Sequence, residues 1–212
     1  MRSARWAFGA VVLGAGYGTV TSFVNDVSSQ YGVLGSRIAD TGWAPALKVV
    51  SQLLDVGWSW AALAVAAGWL VRTRTRGAFA GALALIAATA GYFGLDSVLR
   101  AEPFVHVELV VWWIASVILG PPLGAIGASM RRPGVVGLLA ALTVPVGASV
   151  QMIWLPPQTG GQVVSTTTRV IVWATGAVAA AVVLTRFLSV QRRQRASRES
   201  ESAPFRPREP TL

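Results

Sequence analysis

RTRTRGAFAGALALIAATAGYFGLDSVLR, residues 72–100, carries in one stretch what decides the fold. It opens on Arg72, Arg74 and Arg76, runs through an apolar segment with no charge before Asp96, and closes on Arg100. A helix of about 20 predominantly apolar residues crosses a hydrocarbon layer of roughly 30 Å with every backbone polar group satisfied internally. The segment over residues 77–99 meets that length, with arginines marking one end and an acid–base pair the other.

The same pattern recurs on both sides. Apolar runs cover residues 6–24, 49–71, 77–99, 105–130, 134–155 and 170–190, and each is of spanning length. The chain has 212 residues, of which 53% are hydrophobic and 13% charged, against about 25% charged residues in soluble domains. Its mean hydropathy is +0.56. These features predict an all-α integral membrane bundle of about six transmembrane helices over residues 1–190, followed by a tail over 191–212. Pro121-Pro122 lies inside the fourth run and should kink or break it, because proline removes helical N–H donors.

Charge orients the bundle. Arg2 and Arg5 precede the first run, Arg72, Arg74 and Arg76 join the second to the third, and Arg131 and Arg132 join the fourth to the fifth. Arg186, Arg192, Arg193, Arg195, Arg198, Arg206 and Arg208 end or follow the sixth. With six spans these 14 of the 18 basic residues share one side, leaving Arg37, Lys48, Arg100 and Arg169 on the other. Positive charge marks the cytoplasmic face, so both termini are expected inside. Arg2 and Arg5 before an apolar run also fit a secretory signal. No small-residue cleavage pattern follows, however, and the run continues into Thr21, Asn25 and Asp26, so it is expected to remain as the first helix.

Two segments do not span. In the 27–45 connection, Tyr31, Leu34 and Ile38 recur at helical spacing, which allows a short interfacial helix. The tail from Gln191 is polar, basic and proline-containing. It is too poor in apolar residues to bury a core and is expected to be a disordered cytoplasmic tail.

The net charge of +9 sits in short clusters between apolar runs, which topology explains without a nucleic-acid partner. The absence of cysteine and the single His106 exclude disulfides, thiolate catalysis and multi-His zinc motifs. No HExxH, GxSxG or phosphate-binding glycine loop occurs, and no cofactor or metal is expected. GWSWA at 57–61 is one residue short of a serine elbow and lies inside an apolar run.

The polar residues within the spans are correlated in depth. Gly14, Gly18, Thr21 and Asn25 form one stripe on the first run, followed by Asp26. Lys48, Gln52, Asp55 and Ser59 form a second; Thr89, Tyr92, Asp96 and Arg100 a third. The fourth run begins with His106 and Glu108, the fifth aligns Thr143, Gly147 and Gln151, and the sixth is entered through Thr166–Thr168 and Arg169. All lie towards the ends opposite the arginine-rich loops. Ionisable groups inside spans cost about 2.5–3.5 kcal/mol each on insertion scales and face the bundle interior.

Two interpretations stay open. The groups pair with one another, Asp55 or Asp96 with Arg100 or Arg169, and fix helix register. Alternatively, Asn25, Asp26, Gln52, Asp55, Tyr92, Asp96, Arg100, His106, Glu108, Gln151 and Arg169 line an extracytoplasmic cavity. Its walls would be Trp43, Trp58, Trp112 and Trp154, with the 27–45 segment as a lid. Small-xxx-small spacings in GAGYG (14–18), GAFAG (77–81) and GPPLG (120–124) point to close helix packing within the chain or between copies.

The stretches TSFVNDVSSQYGVLG, LLDVGWSWAALAVAAGWL and GPPLGAIGASMRRPGVVGLLAALTVPVGA resemble a family of small multi-pass membrane proteins of unknown function from high-GC Gram-positive bacteria. The resemblance implies a bacterial plasma-membrane location and carries over no activity or site residue. Three functions remain. One is a binding or transport-type protein taking a small polar or cationic ligand from outside. Another is an intramembrane enzyme using Asp55, Asp96, His106 and Glu108 as acids or bases on a lipid-borne substrate. The third is a scaffold or accessory subunit. Besides the lipid bilayer, the expected partners are a second copy of the chain or another membrane protein.

Overall fold

The computed structural model describes residues 4–37, 41–71 and 73–202. Seven α-helices run in order among them: α1 Arg5–Ser28, α2 Ala44–Asp55, α3 Gly57–Trp69, α4 Arg74–Arg100, α5 Val107–Ser129, α6 Val135–Trp154 and α7 Gly161–Ser202. A single 3-10 turn, Gly35–Arg37, interrupts the α1–α2 connection. The described residues contain no strand. α1, α4, α5, α6 and α7 are each long and apolar enough to cross a membrane, and α2 with α3 is a sixth crossing if the bent pair counts as one span.

The molecule is inside-out relative to a soluble bundle. Its large apolar side chains point outward: Phe8, Phe79, Ile118 and Val178 are all more than half exposed. Its interior is built of small residues, with Ala10, Ala64, Ala67, Ala80, Ala84 and Ala88 forming most of the cluster between α1, α3 and α4. Lipid tails give no hydrophobic reward for burying leucine, so close backbone packing replaces it. The three small-residue motifs supply that packing. A Cβ added at Gly14 or Gly18 would lie 2.1 or 1.8 Å from the carbonyl oxygen of Ala84 or Ala88 on α4. One at Gly124 would lie 2.0 Å from the carbonyl oxygen of Gly77. α1 and α5 therefore pack on α4 within a single chain. α6 and α7 form a pair beside this core, joined to α2 and α3 through Met152, Val172, Ala148 and Trp58.

Four expectations are corrected. The 49–71 run is not one straight helix: α2 and α3 meet at an extended Val56 and are bent by 54°. The fourth run is not broken at Pro121-Pro122, since α5 is continuous from Val107 to Ser129. Its packing against α3 on one side and α4 on the other holds the helical path where two N–H donors are missing. The last helix starts at Gly161 and extends to Ser202, so the segment after residue 190 is helical at least that far. Residues 203–212 of the expected tail lie outside the described residues. The interfacial helix reduces to the 3-10 turn at Gly35–Arg37; Ile38 lies outside the described residues.

Candidate functional site

At the end of the bundle opposite Arg74, Arg76, Arg131 and Arg132 lies a half-open cavity of about 400 Å³. α1 brings Ser22, Asn25 and Asp26 to it, α2 brings Lys48, Ser51, Gln52 and Asp55, and α4 brings Tyr92, Asp96 and Arg100. Val56 at the helix break, Ser29 and the α6–α7 turn residues Pro157 and Thr159 complete the lining. Each helix contributes residues that recur every three or four positions, which is one face of a helix.

Asn25 is the hub. Its Nδ2 donates to Asp55 Oδ2 at 2.6 Å and to the Tyr92 hydroxyl at 3.0 Å, and its Oδ1 accepts from Ser51 Oγ at 2.5 Å. One side chain thus ties α1 to α2 and α4 at the level of the cavity. Gln52 does the same towards α7. Its Oε1 accepts from Thr168 Oγ1 at 2.7 Å, while its Nε2 donates to the carbonyl and hydroxyl oxygens of Thr159. Asp26 is 4% exposed and turns to the following loop, where its two carboxylate oxygens accept the backbone N–H groups of Val33 and Leu34 at 2.9 and 2.8 Å. Asp96 pairs with Arg100 one turn on at 2.8 Å, both partly exposed at the cavity rim.

Beneath the cavity the break between α2 and α3 is stitched from several sides. The Tyr17 hydroxyl and Ser59 Oγ both donate to the Leu54 carbonyl at 2.6 Å, and Ser59 also reaches the Val56 carbonyl. α3 has no side-chain cap of its own. Gln151 of α6 substitutes, its Oε1 accepting the Trp58 N–H at 2.8 Å. A helix start inside a membrane leaves N–H groups that need such partners. Tyr17, Trp60 and Tyr92 stack edge to face under Asp55, with ring centroids 5.7 and 6.1 Å apart.

Three groups remain once these partners are assigned. Asp55 is held by Asn25 and has no cationic partner within ion-pair distance among the described residues. Lys48 has no acidic or hydrogen-bonding partner among them either. Ser22 is 3% exposed, lines the cavity and has no hydrogen-bond partner among them. The fixed groups build the cavity, and these three are left facing it.

Of the eleven candidates read from sequence, Asn25, Asp26, Gln52, Asp55, Tyr92, Asp96 and Arg100 meet in the cavity and four do not. His106 stands at the N-cap of α5, its ring 4.8 Å from that of Phe93. Glu108 is exposed in the first turn of α5, where a negative charge suits the helix dipole. Gln151 caps α3 from behind. Arg169 stacks 5.0 Å over the Trp173 ring, its Nε buried without a partner. The tryptophan wall is also absent. Trp43, Trp112 and Trp154 are 75%, 57% and 79% exposed on the outside of the bundle, as interface anchors are, and Trp58 packs against the Ala148, Met152 and Val172 cluster. Among the described residues of the 27–45 segment only Ser29 joins the lining, and Val33 and Leu34 are fastened to Asp26. Ser22, Ser29, Lys48, Ser51 and Val56 were reachable from the helical stripes. Pro157 and Thr159, in a loop, carried no such signal.

Fold and site together define a multi-pass membrane protein with a polar cavity set against a broken helix. The chain belongs to a family of unknown function, DUF6518, whose model matches residues 42–200. The match spans α2 to α7 but starts after α1, so Ser22, Asn25 and Asp26 lie outside it. No curated protein and no solved structure matches the chain.

Proposed function

We propose that this protein is a binding or transport-type component of a bacterial plasma membrane, with both termini in the cytoplasm, that takes a small polar or cationic solute from the extracytoplasmic side. The observation that carries the proposal is Asp55: an acid without an ion-pair partner among the described residues, held by Asn25 at the edge of a cavity of about 400 Å³ and beside a helix break. Discontinuous helices whose freed backbone groups line a cavity are a recurring way for membrane proteins to hold solutes and ions. Tyr92 stands in the lining with its hydroxyl bonded to Asn25. An enzymatic role would draw on His106 and Glu108 as well, and both stand outside the cavity.

The orientation rests on charge and geometry. A bend of 54° lets the chain keep advancing through α2 and α3. At 1.5 Å per residue the pair spans roughly 30 Å along the α3 axis, about one hydrocarbon thickness. Six crossings then put the arginine-rich loops on one side and the cavity mouth on the other.

The test is ligand-induced stabilisation of the detergent-purified protein by methylammonium, guanidinium, choline and putrescine, with their neutral isosteres as controls. At least one cation should raise the unfolding midpoint of the wild type and leave Asp55→Asn unmoved. Equal shifts in wild type and Asp55→Asn, or no shift with any probe, would overturn the proposal.

A further inference from the structure

Two charged groups of the cavity lining stand outside any ion pair among the described residues, Lys48 and the hydrogen-bonded Asp55. Lys48 and Asp55 sit on the same face of α2, seven residues apart, which is about two turns and roughly 10 Å along the helix. The other charges of the lining are already engaged: Asp96 with Arg100, and Asp26 with the Val33 and Leu34 N–H groups. The Lys48 stem is held against the α6–α7 turn, because a Cβ at Gly160 would lie 2.8 Å from Lys48 Cγ. Gly160 has φ +87°, a conformation that favours glycine, so the turn is shaped to let the stem pass. Ser22, 3% exposed and without a hydrogen-bond partner among the described residues, faces the same space.

We infer that the cavity takes a small zwitterion, its ammonium end at Asp55 beside Asn25 and Tyr92 and its carboxylate end at Lys48, with the Ser22 hydroxyl as an additional polar contact. This rests on the cavity being a solute site, and it specifies the solute as amino-acid-like. A purely cationic ligand would leave the Lys48 ammonium facing it as a like charge, and a purely anionic one would meet Asp55. Only a ligand with both ends satisfies both poles at once. The two poles are far enough apart to suit a short ω-amino acid better than a single charged group.

Three probes separate the possibilities: 4-aminobutyrate, its methyl ester, which keeps only the ammonium, and butyrate, which keeps only the carboxylate. Binding to the purified full chain is measured by calorimetry for wild type, Lys48→Met and Asp55→Asn. In the wild type the zwitterion should bind about tenfold more tightly than the ester, as loss of one charge-assisted contact implies, and butyrate should not bind. In Lys48→Met the zwitterion should fall to the level of the ester, and in Asp55→Asn both should be lost. A second reading needs no variant. Lys48 is the one lysine in the sequence, so amine labelling of the peptide containing it should be slowed by 4-aminobutyrate and not by the ester. Ester and zwitterion binding equally in the wild type, with Lys48 labelling unprotected, would overturn the zwitterion assignment and leave the solute site standing. Failure of every probe would remove both.

Discussion

Asn25 makes three hydrogen bonds to three residues on two other helices, whereas the three made by Gln52 reach only Thr159 and Thr168. Measured interhelical hydrogen bonds in membranes average about 0.6 kcal/mol. Asn25→Leu should therefore cost about 2 kcal/mol and lower the unfolding midpoint in detergent, with loss of ligand stabilisation as Asp55 loses its positioning donor. Asp55→Asn, by contrast, keeps a side chain that accepts from Asn25 and should bind no cation while staying within about 0.5 kcal/mol of wild type, since an isosteric amide keeps the shape and one acceptor. The two variants measured side by side separate the group that builds the cavity from the group that faces its contents. At this scale sequence patterning was informative where a residue lay on a helical stripe with a polar neighbour, as with Asn25, Asp55, Tyr92 and Asp96. It misled where a polar group served the backbone instead. Gln151 and Glu108 both carry the right chemistry, but one caps α3 and the other sits in the first turn of α5.

Among the elements, the decisive one is the bend between α2 and α3. Nothing in LLDVGWSWAAL interrupts an apolar helix except Gly57, and one glycine in a helix costs only about 1 kcal/mol. The break is held chiefly by partners distant in sequence: Tyr17 takes the Leu54 carbonyl, with the nearby Ser59 beside it, and Gln151 takes the Trp58 N–H. That is why it was not legible. Gln151→Leu removes the acceptor for a partly buried N–H and should cost about 1–3 kcal/mol, with faster amide exchange around Trp58 than in the body of α3. Glycine packing, by contrast, was legible from spacing, and its two sides can be told apart. Gly18 lies against the Ala88 backbone, whereas Gly16 has no neighbour within 4 Å of an added Cβ. Gly18→Ala should push α1 from α4 and destabilise by about 1–3 kcal/mol. Gly16→Ala should be neutral or stabilising by up to about 1 kcal/mol, through helix propensity alone. Thermal unfolding of the pair in one detergent checks both, and equal losses would mean that α1 does not pack on α4 through this face.

For the whole molecule the open choice is the number of crossings, since α2 and α3 together make either one bent span or a re-entrant hairpin. The bend favours a span. A re-entrant segment has to reverse direction, and 54° leaves α2 and α3 advancing together. The absence of cysteine makes the consequence easy to measure, because single-cysteine variants report on one position each. Gly42 lies in the α1–α2 connection, Thr75 is exposed at the start of α4, and Ser189 is exposed on α7. On intact cells a membrane-impermeant maleimide should label Gly42→Cys and spare Thr75→Cys and Ser189→Cys, which should react only after permeabilisation. A re-entrant α2–α3 would bring Thr75 and Ser189 out to the face of Gly42, and all three would react on intact cells. The same pattern would place α7 with its arginines outside, against the charge distribution that orients membrane helices. It would also move the ends of α4 relative to the cavity: Asp96 and Arg100, which line it with Asn25 and Asp55, would be at the opposite face from the C-terminus of α1. The cavity holds together only if the bent pair crosses, so the labelling of Thr75 tests the membrane topology and the integrity of the site in one measurement.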